Sequence, residues 1–163
     1  MTREERDQKL ESYGKAPQQL AEALGQFPRE MWHFKPSPDR WSIHEIVVHI
    51  VDSEANGFVR CRRFIAEPGK SVMPYDQEAW ASSLHYHDQS VEDALELFKW
   101  LRLTSYKLVR LLPGPVWSNT VHHPERGNMT LDDWLAIYEE HVPAHIRQMK
   151  KNYEVWKRAK PQG

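Results

Sequence analysis

The stretch from Ser42 to Gly69 constrains the fold more than any other part of this chain. Ser42 is a favoured N-cap residue, and Glu45, three positions on, completes the pattern of a capping box. Ile43, Ile46, Val47, Ile50, Val51, Phe58 and Ile65 then recur on one face at helical spacing until Pro68-Gly69 ends the run. A helix of about six turns with a continuous apolar stripe cannot bury that stripe alone, so the rest of the chain must supply its partners.

Three further stretches supply them. Residues 3–24 read as a helix with sparse apolar positions (Leu10, Tyr13, Leu20, Leu24); Pro17 predicts that it bends or begins there, and Gly25 follows its end. Ser90 caps a third run through Leu95, Leu97, Phe98, Leu101, Tyr106, Leu108 and Leu111, which stops before Pro113-Gly114-Pro115. Thr130 caps the last, with Asp132 and Asp133 near its positive end, and it extends to about Ala159. Pro143 interrupts this helix and predicts a kink, because an interior proline costs about 3 kcal/mol in a plain helix.

Between these runs, residues 28–40 carry three prolines and read as a loop. Residues 70–89 show no sustained period and read as a long ordered crossover with a short helix at most, and residues 116–129 as an irregular loop or small hairpin. The expected fold is all-α, a four-helix bundle with a long crossover after the second helix, in one domain spanning 1–163.

Composition narrows the partners. The 163 residues are 40% hydrophobic and 28% charged with a formal net charge of -1, the balance of a globular chain. A nucleic-acid partner is not expected, since the basic excess that phosphate contacts demand is missing. No segment approaches the roughly 20 apolar residues of a spanning helix, and the charged start MTREERDQK leads into no signal-peptide core. A cytoplasmic protein with no membrane partner is the expectation. Cys61 is the single cysteine; it excludes an intrachain disulfide and a cysteine zinc cluster, and its helical position reads as core.

The histidines carry the chemistry. On a helical wheel of the last run, Leu131, Trp134, Leu135, Tyr138, Val142, Ile146, Met149, Tyr153 and Trp156 share one broad face. His145 lies inside that stripe and His141 at its edge, stacked one turn apart as two imidazoles reaching a common ion must be. His49 sits about 110° from the centre of the second helix's stripe, at a flank where a side chain reaches a seam between helices. If those two helices are neighbours, three imidazoles can meet and leave a coordination position for water or substrate. Nine histidines also make such a pair common by chance, so spacing alone leaves satisfied or exposed histidines as the alternative. His33, His44, His85, His87, His122 and His123 read as surface or loop residues. Asp52 reads as solvent-facing, whereas Glu54 falls in the apolar stripe, either as a general base or as the partner of an arginine such as Arg60 or Arg63. Glu45 is a candidate to orient His49, or simply the capping carboxylate. Trp32, Trp41, Trp80 and Trp117 could line a pocket or complete the core.

The segment from Trp41 to Glu54, WSIHEIVVHIVDSE, resembles the signature that opens the second helix in the DinB/YfiT-like metalloprotein family. A second mark of that family, two histidines four apart on the last helix, is matched by His141 and His145, and the order of motifs agrees along the whole chain. The resemblance implies a bundle with up-down-down-up connections and a metal site of His49, His141 and His145. It further implies zinc or nickel as the divalent ion, a homodimer, and a small-molecule substrate. The implied reaction is thiol S-transfer, with a low-molecular-weight thiol such as bacillithiol or mycothiol added to an electrophile. The alternatives are metal-dependent hydrolysis of small amides or esters, with Asp52 or Glu54 as base, and a non-catalytic metal-binding stress protein.

Overall fold

The computed structural model describes residues 1–159. Five helices and one hairpin follow in order: α1 (Arg3–Leu24), α2 (Ile43–Ala66), α3 (Gln77–Ser83), α4 (Val91–Val109), β1 (Thr120–His123), β2 (Gly127–Thr130) and α5 (Leu131–Ala159). The four long helices form the bundle and agree with the expected runs to within a residue or two at most ends. Short α3 lies within the expected crossover, and the hairpin occupies the stretch read as a loop or hairpin.

Local chemistry starts each helix. Thr2 with Glu5 and Ser42 with Glu45 form complete capping boxes, and the Ser90 and Thr130 hydroxyls accept the Asp93 and Asp133 amides. Neither Pro17 nor Pro143 ends its helix: α1 and α5 run through them. Packing against neighbouring helices outweighs the lost backbone hydrogen bond in each case.

Side-chain contacts give the helix directions. Arg6 binds Asp132 and Ser12 binds Glu139, so α1 and α5 run parallel. Arg102 binds Glu54 and Arg62 binds Ser105, so α2 and α4 also run parallel. Gly57 accepts from Trp134 while His49 meets His145, which makes α2 antiparallel to α5. The order is up-down-down-up, and the two parallel neighbours α2 and α4 are what the long crossover has to join.

The core divides into two clusters. One is built around Leu20, Met31, Ile46, Ile50, Phe98 and Val142, the other around Tyr13, Cys61, Phe64, Leu131, Trp134 and Leu135. Cys61 is fully buried in the second, as its helical position predicts. The crossover is tied down at residues 70–72, where Val72 donates to the His122 carbonyl and His122 to the Lys70 carbonyl.

Candidate metal centre

His49 leaves α2 fully buried, and His141 and His145 leave α5 half-buried. One ligand atom from each falls within 4.8 Å of the others. The His49 ring centroid is 5.3 Å from that of His141 and 4.8 Å from that of His145, and the two α5 rings are 4.5 Å apart. The Nε2 atoms of His141 and His145 approach to 3.1 Å. Two nitrogens on a tetrahedral ion at metal–N distances of 2.0–2.1 Å lie about 3.3 Å apart, so this spacing matches an edge of such a site.

The protonation states fit as well. His145 Nδ1 is 2.9 Å from the Gln148 Oε1, which can only accept; the ring proton therefore sits on Nδ1, and the Nε2 lone pair faces His141 Nε2. His49 Nδ1 and His141 Nδ1 are buried without a hydrogen-bond partner among the described residues. Burial lowers the pKa of His49 to about 3, with the neighbouring His145 adding to the effect. Burial also holds His141 well below the usual range and lowers His145, so all three rings are neutral at neutral pH, as ligation requires. Three imidazoles suit a divalent ion such as zinc or nickel.

The surroundings revise several readings. Trp41 packs its ring 4.6 Å from His49, while Glu45 is committed to the Ser42 amide and to Lys35. Glu45 is therefore the capping carboxylate. Glu54 is fully buried and pairs with Arg102 of α4 at 2.7 Å, not with Arg60 or Arg63; Tyr13 donates to its other oxygen. Asp52 does not face open solvent: it is half-buried and accepts from the Tyr86 hydroxyl at 2.6 Å. His33, His85, His87 and His122 are exposed as expected, but His44 and His123 are buried. His44 donates to the Gln89 carbonyl, and His123 faces inward because side chains alternate along β1.

Beside His141 a partly open pocket of about 90 Å³ is lined by His141, Ser53, Arg60, Tyr75, Gln77, His123 and Arg126. Its apolar wall includes Phe64, Val72, Val121, Met129 and Ile137. Of these residues none stands out locally in the sequence except His123, whose inward direction follows from strand alternation.

A model of the DinB superfamily matches residues 12–149. The chain belongs to the DinB superfamily. Among its relatives, a protein of Oceanobacillus iheyensis named "Putative metal-dependent hydrolase" is 28% identical over 65% of this chain. That match spans 61% of the relative's own length, less than two thirds. A Bacillus mycoides protein of the same description is 25% identical over 93% of this chain and 88% of its own. YfiT of Bacillus subtilis, again so named, is 22% identical over 90% of this chain and 83% of its own. The solved YfiT structure, described as having an unusual four-helix bundle topology, superposes with a TM-score of 0.88 at 21% identity, covering 96% of this chain and 90% of YfiT. That likeness establishes the DinB-type four-helix bundle for this chain.

Proposed function

We propose that this chain is a metal-dependent enzyme that holds a zinc or nickel ion with His49, His141 and His145 and transfers a small-molecule thiol to an electrophile. One observation carries the choice of thiol transfer: no carboxylate lines the pocket beside the histidines among the described residues. Glu54 is locked between Arg102 and Tyr13, and Asp52 by Tyr86. His123 Nδ1 already accepts the Glu125 amide, so its proton sits on Nε2 and the ring donates into the pocket rather than accepting there. A bound ion would activate water as well, but hydrolysis of an amide or ester also calls for a general acid to protonate the departing amine or alkoxide. A bound divalent ion supplies Lewis acidity, which lowers the pKa of a thiol from about 8.5 without help from a protein base. In the net reaction the thiol proton passes to solvent and sulfur bonds to the electrophilic carbon; a halide departs with the bonding pair, or the oxygen of an opened epoxide takes that pair and a proton.

The chain's own residues do three things in this scheme. Gln148 fixes the tautomer of His145, Trp41 covers His49, and the apolar wall of the pocket excludes water from the reacting groups. The names of the relatives favour a second reading, hydrolysis of small amides or esters, with His123 as the nearest titratable group. A homodimer, the assembly implied by the family resemblance, belongs to the proposal too and is read by sedimentation.

The test is elemental analysis of purified protein, followed by assays of thiol consumption against a panel of alkyl and aryl halides and epoxides. Stoichiometric metal with thiol loss supports the transferase. Ester or amide turnover without thiol replaces it with the hydrolase, and metal without turnover of either kind leaves a binding protein.

A further inference from the structure

The pocket beside His141 has a charge imbalance that the metal centre does not use. Arg60 lines it from α2, and Arg126 stands exposed at the turn of the hairpin beside it. Neither cation has a carboxylate within ion-pair distance among the described residues. Arg60 instead donates to two neutral oxygens, the Met73 carbonyl at 2.6 Å and the Tyr138 hydroxyl at 3.3 Å. Its Nε is buried with no acceptor, and the Tyr75 hydroxyl is buried in the same lining with Ser53 as its one partner among the described residues. The His123 ring, with its proton on Nε2, is one more donor in the same wall.

Buried donors without acceptors are rare, because each forfeits hydration worth about 1–3 kcal/mol. Here an arginine, a tyrosine and a histidine line one cavity with no acidic residue among them, together with the apolar Phe64, Val121 and Met129. A carboxylate supplies the missing acceptors, and arginine binds carboxylate through geometrically matched, charge-assisted hydrogen bonds.

We propose that Arg60 and Tyr75 form a subsite for a carboxylate on the substrate, placing a small apolar acid against Phe64, Val121 and Met129 with its other end beside His141. The crossover supplies Tyr75 and α2 supplies Arg60, so the segment joining α2 to α4 also selects the ligand. The inference rests on the reading that substrate binds next to the histidines, but its test measures binding, not turnover. Loss of thiol transfer with retained acid selectivity would sink the proposed function and leave the subsite standing.

Calorimetric titration of the full chain with 3-phenylpropionate and with its neutral analogue 3-phenylpropionamide decides it, before and after metal removal by chelation. The acid is expected to bind roughly tenfold more tightly than the amide, the strength of a charge-assisted hydrogen bond. Arg60→Met is expected to abolish that preference and Tyr75→Phe to reduce it severalfold. Arg62→Met, whose guanidinium bonds Phe58 and Ser105 away from the pocket, should retain it. Circular dichroism on each variant confirms that it is folded. Equal affinity for acid and amide, no binding of either, or a preference that survives Arg60→Met overturns the proposal. A preference seen only in zinc-supplemented protein places the carboxylate on the ion and overturns it as well.

Discussion

Gly57 of α2 lies directly against the ring of Tyr138 on α5, so closely that a methyl group at Gly57 would overlap the ring atoms Cε1 and Cζ. The Gly57 carbonyl also accepts the Trp134 indole N–H at 3.1 Å. This close approach fixes the spacing of α2 and α5. The same two helices carry His49 and the His141–His145 pair, so the metal centre depends on a glycine two turns away.

Gly57→Ala should therefore push the helices apart, at a cost of about 1–3 kcal/mol for overpacking. Metal stoichiometry should fall with stability, read by thermal denaturation and elemental analysis. Gly25→Ala is the control: its Cβ would meet nothing closer than 3.5 Å, and Gly25 has ordinary right-handed backbone (φ -63°), so stability should hold or rise slightly.

His145→Ala should abolish stoichiometric metal binding while the far-ultraviolet dichroism stays helical. Retained metal would rule out the three-histidine site. Gln148→Leu should weaken binding by about 10–100-fold without abolishing it, because it removes only the group that holds the His145 ring in its tautomer.

The metal-free protein should lose stability in acid. Burial holds the folded-state pKa of His49 near 3, below its unfolded value near 6.5. Above pH 6.5 both states are neutral and the contribution is intact. As pH falls from 6.5 toward 3 the unfolded chain takes up protons that the folded chain refuses, so stability declines across that window. His141 and His145 shift in the same direction and add to the slope. Denaturant titrations at several pH values check this, and His49→Phe should flatten the curve.

Glu54 and Arg102 form a fully buried ion pair joining α2 to α4. Arg102 further donates to the carbonyls of Tyr13 and Tyr138, so one side chain touches all four long helices. Glu54→Gln or Arg102→Met alone should cost about 3–5 kcal/mol, since each strands a buried charge. The double variant Glu54→Met with Arg102→Met should cost less than the sum, which a double-mutant cycle in urea measures.

The helices of this protein were legible in its sequence because their signals are local. A capping box spans four residues, and the His141–His145 pair one turn. These determined where α2, α4 and α5 start, which faces they bury, and that two imidazoles stack. Pro17 and Pro143 were local signals too, and the packed helices run through both. Everything that required two distant segments to meet was decided only in three dimensions. Glu54 shows as a charge on an apolar face, but nothing in the sequence names Arg102 as its partner. His49 joins His141 and His145 because Gly57 admits Tyr138, a relation between residues 81 positions apart in the chain. Periodicity fixes the direction of a side chain about its own helix; only packing fixes which helix stands opposite.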